Sequence, residues 1–99
     1  MSYKIRYTDK ASDDIKRLYA FLLQHDIASA EHALQAINKA VDLLGIFPFT
    51  CRKAQMDNPF LRELIISFGV NGFVALFEIE ENNIVTILTL RHQREDDYR

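Results

Sequence analysis

The sequence predicts an α+β fold of order β-α-α-β-β-β, in which a helical hairpin lies on one face of an antiparallel sheet. Three observations carry that prediction. A short alternating segment opens the chain, and two stretches with apolar residues at three- and four-residue spacing follow it. Three β-like runs then succeed one another with links of only a few residues. An amphipathic hairpin and a sheet each have one face to bury, and packing them together buries both.

The opening "YKIRY" sets Tyr3, Ile5 and Tyr7 on one face and Lys4 and Arg6 on the other, the period of a half-buried strand at a sheet edge. Thr8 and Asp9 then offer capping oxygens. Ile15, Leu18, Tyr19 and Leu22 make one face of a helix from about Ala11 to Gln24. Asp26 or Ser29 would cap a second helix, whose stripe is Ala33, Leu34, Ile37, Val41 and Leu44. Ala30, Ala36 and Ala40 allow the neighbouring helix to come close, and Gly45 and Pro48 end the pattern. So short a link between two helices makes an antiparallel hairpin.

"PFTCRKAQMDNPF" holds both prolines and no periodicity, and reads as a loop. The runs "RELIISF", "GFVALFEIE" and "NIVTILTL", joined by "GVNG" and "EENN", read as an antiparallel meander. Leu64, Ile66 and Phe68 face one way, and Glu63, Ile65 and Ser67 the other. The middle run is apolar on both faces, which suits a central strand.

At 99 residues the chain is expected to be a single domain, 1–99. Cys51 is the only cysteine, so no intramolecular disulfide can form and a reducing cytoplasm is the simpler setting. No signal-peptide pattern opens the sequence, and its longest apolar run, "LYAFLL", is far short of the roughly 20 residues that span a bilayer. A cytoplasmic protein without a membrane partner is expected. Lys and Arg number 12 against 14 Asp and Glu, a net charge of −2, whereas proteins that grip many phosphates carry a marked positive excess.

His25, His32 and His92 show no compact ligand spacing and Cys51 stands alone, so neither a metal nor another cofactor is expected. Cationic neighbours Arg52 and Lys53 would lower the thiol pKa of Cys51, with His92 as its base. A lone cysteine more often packs as a small hydrophobe, and nothing in the sequence supplies an orienting acid. "GVNG" lacks the length and lysine of a phosphate loop. "EIEENN" reads as a solvated hairpin tip that would repel RNA.

The remaining ionisable set is basic: Arg52, Lys53, Arg62, Arg91, His92 and Arg94, with Tyr98. The first and third strands of a meander run the same way, so Arg62 and Arg91 should fall near opposite ends of the sheet, with Arg91 and His92 nearer Phe68 and "GVNG". The plain reading is a scatter of solvated arginines pairing with Glu95, Asp96 and Asp97.

The element order, the loop with Pro48 and Arg52, "REL" entering a strand and a last strand running into "RHQRE" together resemble the RelE/ParE toxin superfamily of bacterial type II toxin–antitoxin modules, over essentially the whole chain. The resemblance implies an antitoxin partner and one of two activities. RelE-like members cut messenger RNA on the ribosome; ParE-like members inhibit DNA gyrase and are not known as nucleases. Under the RelE-like alternative, Arg62, His92, Arg94 and Tyr98 match the positions of cleavage residues. Three features depart from that pattern: the negative net charge, Phe73-Val74 where Tyr-Arg often stands, and the acids at 95–97. "RHQRE" looks closer to ParE-like and plasmid-stabilisation proteins, so a gyrase inhibitor rather than an enzyme is favoured. Arg52, Arg62, Arg91, His92 and Arg94 would then be recognition residues. A family member that is inactive and only binds is a further alternative, and an exposed sheet edge or helix face would support a homodimer.

Overall fold

The computed structural model describes residues 2–93. In chain order its elements are β1 (Lys4–Tyr7), α1 (Asp9–Leu23), α2 (Ile27–Leu44), a 3₁₀ turn (Pro48–Thr50), β2 (Arg52–Gln55), β3 (Asn58–Phe68), β4 (Asn71–Glu80) and β5 (Ile84–His92). The five strands form one sheet in the order β1-β5-β4-β3-β2. β2 to β5 run antiparallel, while β1 pairs with β5 in parallel.

Both helix starts follow from local chemistry. The Thr8 hydroxyl oxygen accepts from the Ala11 N–H at 3.0 Å, and Asp26 accepts from the Ala28 N–H at 3.2 Å and the Ser29 hydroxyl at 2.9 Å. The apolar stripes then meet the sheet as the periodicity requires. Leu18 of α1 and Ala33, Ile37, Val41 and Leu44 of α2 are buried against Leu64 and Ile66 of β3, Phe73, Ala75, Phe77 and Ile79 of β4, and Val85, Ile87 and Leu90 of β5. Ala30 is fully buried in α2, where a small side chain admits the neighbouring helix. The helices cover this face only, so alternation leaves Leu61, Glu63, Ile65, Val74, Leu76, Glu78 and Glu80 on the other, here called the open face.

Two expectations change. The segment 48–60 is not a loop throughout: its middle is β2 and its end opens β3. Arg52 pairs with Glu63 and Lys53 with Arg62, and the register shifts between Lys53 and Gln55. A strand this short, charged and irregular shows no alternation in sequence, and those features also protect a sheet edge from further pairing. The sheet is mixed rather than wholly antiparallel, because the hairpin returns the chain so that β1 lies along β5.

Turn chemistry sets the register. The β3–β4 turn has Gly69 in the left-handed region (φ 61°), and the β4–β5 turn has Asn82 and Asn83 there (φ 64° and 58°). At Gly72 a Cβ would overlap the Ile66 carbonyl oxygen, so only glycine fits where β4 begins its pairing with β3.

β5 is longer than its parallel neighbour. β1 covers it from Ile84 to Ile87, and beyond that α1 takes over the exposed edge. The Thr8 hydroxyl donates to the Leu88 carbonyl at 2.8 Å. The Asp14 carboxylate, 6% exposed, accepts from the Leu90 N–H at 3.0 Å and the Thr89 hydroxyl at 2.6 Å, and the Lys10 ammonium donates to both its oxygens at 3.1 Å. Burial alone would raise the Asp14 pKa. The hydrogen bonds from Thr89, Leu90 and Lys10 and the Lys10 charge outweigh it and hold the carboxyl below its ordinary value.

Replacing Asp14 leaves the Leu90 N–H and Thr89 hydroxyl buried without an acceptor. Asp14→Ala is expected to cost about 2–4 kcal/mol in urea denaturation. Because the folded pKa is depressed, this stabilisation is complete above the unfolded carboxyl value near ~4 and is lost as pH falls through the folded value. The gap between wild type and variant should therefore narrow in acid.

Candidate functional site

The basic residues do not converge. Arg62 pairs with Phe77 of β4 and Arg91 with Val74, and those partners lie on opposite faces of the sheet. Arg91 and His92 also part, as consecutive strand residues must. Arg91 belongs with Val74 and Ile65 on the open face, where its Nη1 donates to the His92 carbonyl at 3.3 Å. His92 turns to the helical side and meets the Phe73 ring edge-on at 6.0 Å, while Phe73 stacks on Phe68 at 5.8 Å. This end of β5 does lie beside the β3–β4 turn, as the meander requires. Arg94 and Tyr98, with the acids at 95–97, lie outside the described residues.

His92 stands at the rim of an apolar cleft of about 250 Å³, walled by Leu18, Phe21 and Leu22 of α1, Phe68 and Phe73 of the sheet, and Val70 of the turn. Phe21 is 57% exposed and Val70 97%. Sequence reasoning missed this cleft. Phe21 lies off the α1 stripe and Val70 lies in a turn, so neither carries a periodic signal.

Arg62 is engaged in architecture. Its Nε donates to the Pro59 carbonyl at 2.8 Å, and its Nη1 donates to those of Phe49 at 2.9 Å and Cys51 at 2.7 Å. The guanidinium also lies over the Phe49 ring, 5.3 Å from its centre. One side chain thus ties the 3₁₀ turn and the start of β2 to β3. Arg52 reaches Glu63 on the open face, Nε to Oε1 at 2.8 Å, and Lys53 is exposed.

The open face is mostly apolar and acidic. Two of its arginines, Arg6 and Arg52, are paired with Glu80 and Glu63, and Arg91 lies at its far end. Val74, where the resemblance led an arginine to be expected, is 3% exposed between Ile65 and Arg91. Glu80 accepts from the Thr86 hydroxyl and from Arg6, and these contacts hold its pKa below the usual glutamate value.

Burial pushes the Cys51 thiol up and outweighs the lowering effect of Arg62, the reverse of what Arg52 and Lys53 suggested in the sequence. His92 lies on β5, three strand spacings from the chain at Cys51, or roughly 14 Å, so the two cannot exchange a proton directly. Among the described residues no cluster of His, Cys, Asp and Glu could hold a metal, and no helix is long and apolar enough to cross a membrane.

The sequence profile described as "ParE toxin of type II toxin-antitoxin system, parDE" matches residues 5–97. Among solved structures, a chain of the chromosomal ParDE toxin–antitoxin system from Pseudomonas aeruginosa (P. aeruginosa) is similar in fold. Its TM-score is 0.70 at 21% identity, over 92% of this chain and 96% of that one. A chain of the RelBE2 toxin–antitoxin complex from Mycobacterium tuberculosis gives a TM-score of 0.60 at 19% identity, over 94% and 100%. Curated proteins yield no match.

Arg62→Ala should cost about 2 kcal/mol by urea denaturation, since three carbonyls lose a charged donor, and Arg62→Lys should recover only part of it. With its pKa raised and its surface half-covered, Cys51 should react with a chromogenic disulfide at pH 8 roughly tenfold more slowly than in the unfolded chain.

Proposed function

For this chain, which belongs to the ParE toxin family of type II toxin–antitoxin systems, we propose a toxin that acts by binding a protein, with DNA gyrase as its target and a cognate antitoxin as its restraint. The observation that carries this reading is the chemistry of the open face. Cutting RNA requires cations and an acid–base pair gathered on one phosphate. Here the open face presents Leu61, Ile65 and Leu76, its Arg6 and Arg52 are neutralised by carboxylates, and its third arginine, Arg91, stands at the far end of β5 beside buried Val74. Such a surface suits protein contact better than phosphate.

Recognition is assigned to the far end of β5. Arg91 offers a guanidinium to a carboxylate of target or antitoxin, and His92 and Arg94 extend the same segment. Arg52 and Arg62 contribute through the shape of the β2–β3 region that they hold. The cleft beside α1, with exposed Phe21 and Val70, suits the apolar face of an antitoxin helix. Bound there, an antitoxin would cover His92 and so block the segment that reaches the target. Toxin bound to gyrase would stall it on cleaved DNA and stop replication, in the bacterial cytoplasm.

Expression without an antitoxin is expected to arrest growth with filamentation and to induce a DNA-damage reporter. Codon-phased cuts in messages by primer extension would replace this reading with the ribosome-dependent ribonuclease, and folded protein without any arrest would replace it with a partner-binding protein that poisons nothing. Arg91→Ala combined with Arg94→Ala should abolish toxicity while the circular dichroism spectrum and unfolding midpoint stay near wild type. A folded, fully toxic double variant would remove the assignment.

A further inference from the structure

The end of the sheet opposite the recognition segment carries a second surface. Phe49 of the 3₁₀ turn and Phe60 of β3 are 45% and 51% exposed and meet edge to face at 6.1 Å. Neither belongs to the core, although aromatic rings are costly to leave in water. With Tyr3 they line a groove of about 840 Å³ that opens to solvent. Glu78, Glu80 and Glu81 supply its charged lining. The Asn82–Asn83 turn, with both residues left-handed, holds the strand end that presents them.

Within the groove lining the charges do not cancel. Three carboxylates against one guanidinium, Arg6, leave −2. Arg6 is engaged with Glu80 at 3.2 Å and also donates to the Thr86 hydroxyl, so it neutralises only that acid. Aromatic surface beside uncompensated carboxylate defines what can bind. Phosphates of RNA or DNA are repelled. A bare cation leaves the aromatic rings unfilled. A polypeptide segment in which Lys or Arg alternates with apolar side chains satisfies both, since its ammonium or guanidinium groups reach the acids and its apolar groups cover the rings. The volume is within the range of ligand-binding clefts and takes several residues of such a chain.

We propose that this groove is a docking site for a basic, apolar-alternating segment of a partner protein. It lies at the other end of β5 from Arg91 and His92, and the inference does not depend on gyrase being the target. A partner held there leaves the recognition segment uncovered, so the two surfaces can be occupied together.

The test uses the full chain labelled with ¹⁵N and a synthetic hexapeptide, Lys-Phe-Lys-Leu-Lys-Phe, with its Glu-for-Lys counterpart as control. Saturable shifts are expected at Phe49, Phe60 and 78–83 with the basic peptide alone, weakening as salt rises. Glu78→Gln combined with Glu81→Gln should weaken binding about five- to tenfold. Phe60→Ala, checked for folding by circular dichroism, should weaken it while keeping the salt dependence. The proposal is overturned if the basic peptide does not saturate, if the acidic peptide binds as well, or if the shifts fall in the cleft beside His92. It is equally overturned if the folded Glu78/Glu81 variant binds as wild type does, or if the same resonances move with protein concentration alone, which would make the occupant a second copy of the chain.

Discussion

β5 outruns the strand beside it, and a sheet with a bare stretch of edge next to its core would leave backbone groups buried without partners. Asp14 resolves this. A carboxylate from the first turns of α1 takes the place of a strand, receiving the Leu90 N–H and the Thr89 hydroxyl while Lys10 balances its charge. The contact settles several things together. It seats α1 against the sheet edge and so directs the Leu18 stripe into the core. It also holds β5 extended as far as His92, which positions Arg91 on one face and His92 on the other. A buried carboxylate is tolerated only because its hydrogen bonds are nearly complete. The same completeness makes it hard to replace: an apolar residue would strand the donors, and a strand residue would need a longer β1.

The guanidinium groups divide by what they touch. Arg6, Arg52 and Arg62 are tied to Glu80, Glu63 and three backbone carbonyls, and all three act within the fold. Arg62 in particular gives an aperiodic segment its shape. A carbonyl-lined turn needs a donor with several N–H groups in fixed directions, which arginine has and lysine lacks. Charge counted from composition therefore overstates what is available at the surface for a ligand.

The sequence exposed what is local. Thr8 and Asp26 announce their helices, the two stripes mark the buried faces, and alternation in β3 separates Leu64 and Ile66 from Glu63 and Ile65. Strand direction alone would set Arg62 and Arg91 near opposite ends of the sheet, but β3 begins at Asn58, so Arg62 lies mid-strand, three ladder positions from Arg91, and it is the face that divides them. What stayed hidden is non-local. β2 reads "RKAQ" and has no pattern, because its pairing is secured by Glu63 and Arg62 more than ten positions away. The parallel direction of β1 depends on how the helical hairpin returns the chain. Asp14 was visible only as an acid near the apolar stripe of α1, four residues after Lys10, and its partners lie on the last strand.

The pairing of β1 with β5 joins residues about 80 positions apart, which places the two ends of the described chain in one ladder. Contacts of such long sequence separation form late, because the loop they close must first be ordered. During synthesis, β1 and the helical hairpin precede β5, so Asp14 lacks its Thr89 and Leu90 partners until β5 arrives. A ribosome-bound chain can therefore build its helices and the β3–β4 hairpin, but it cannot close its sheet, or hold Arg91 and His92 in their places, before translation has passed residue 92.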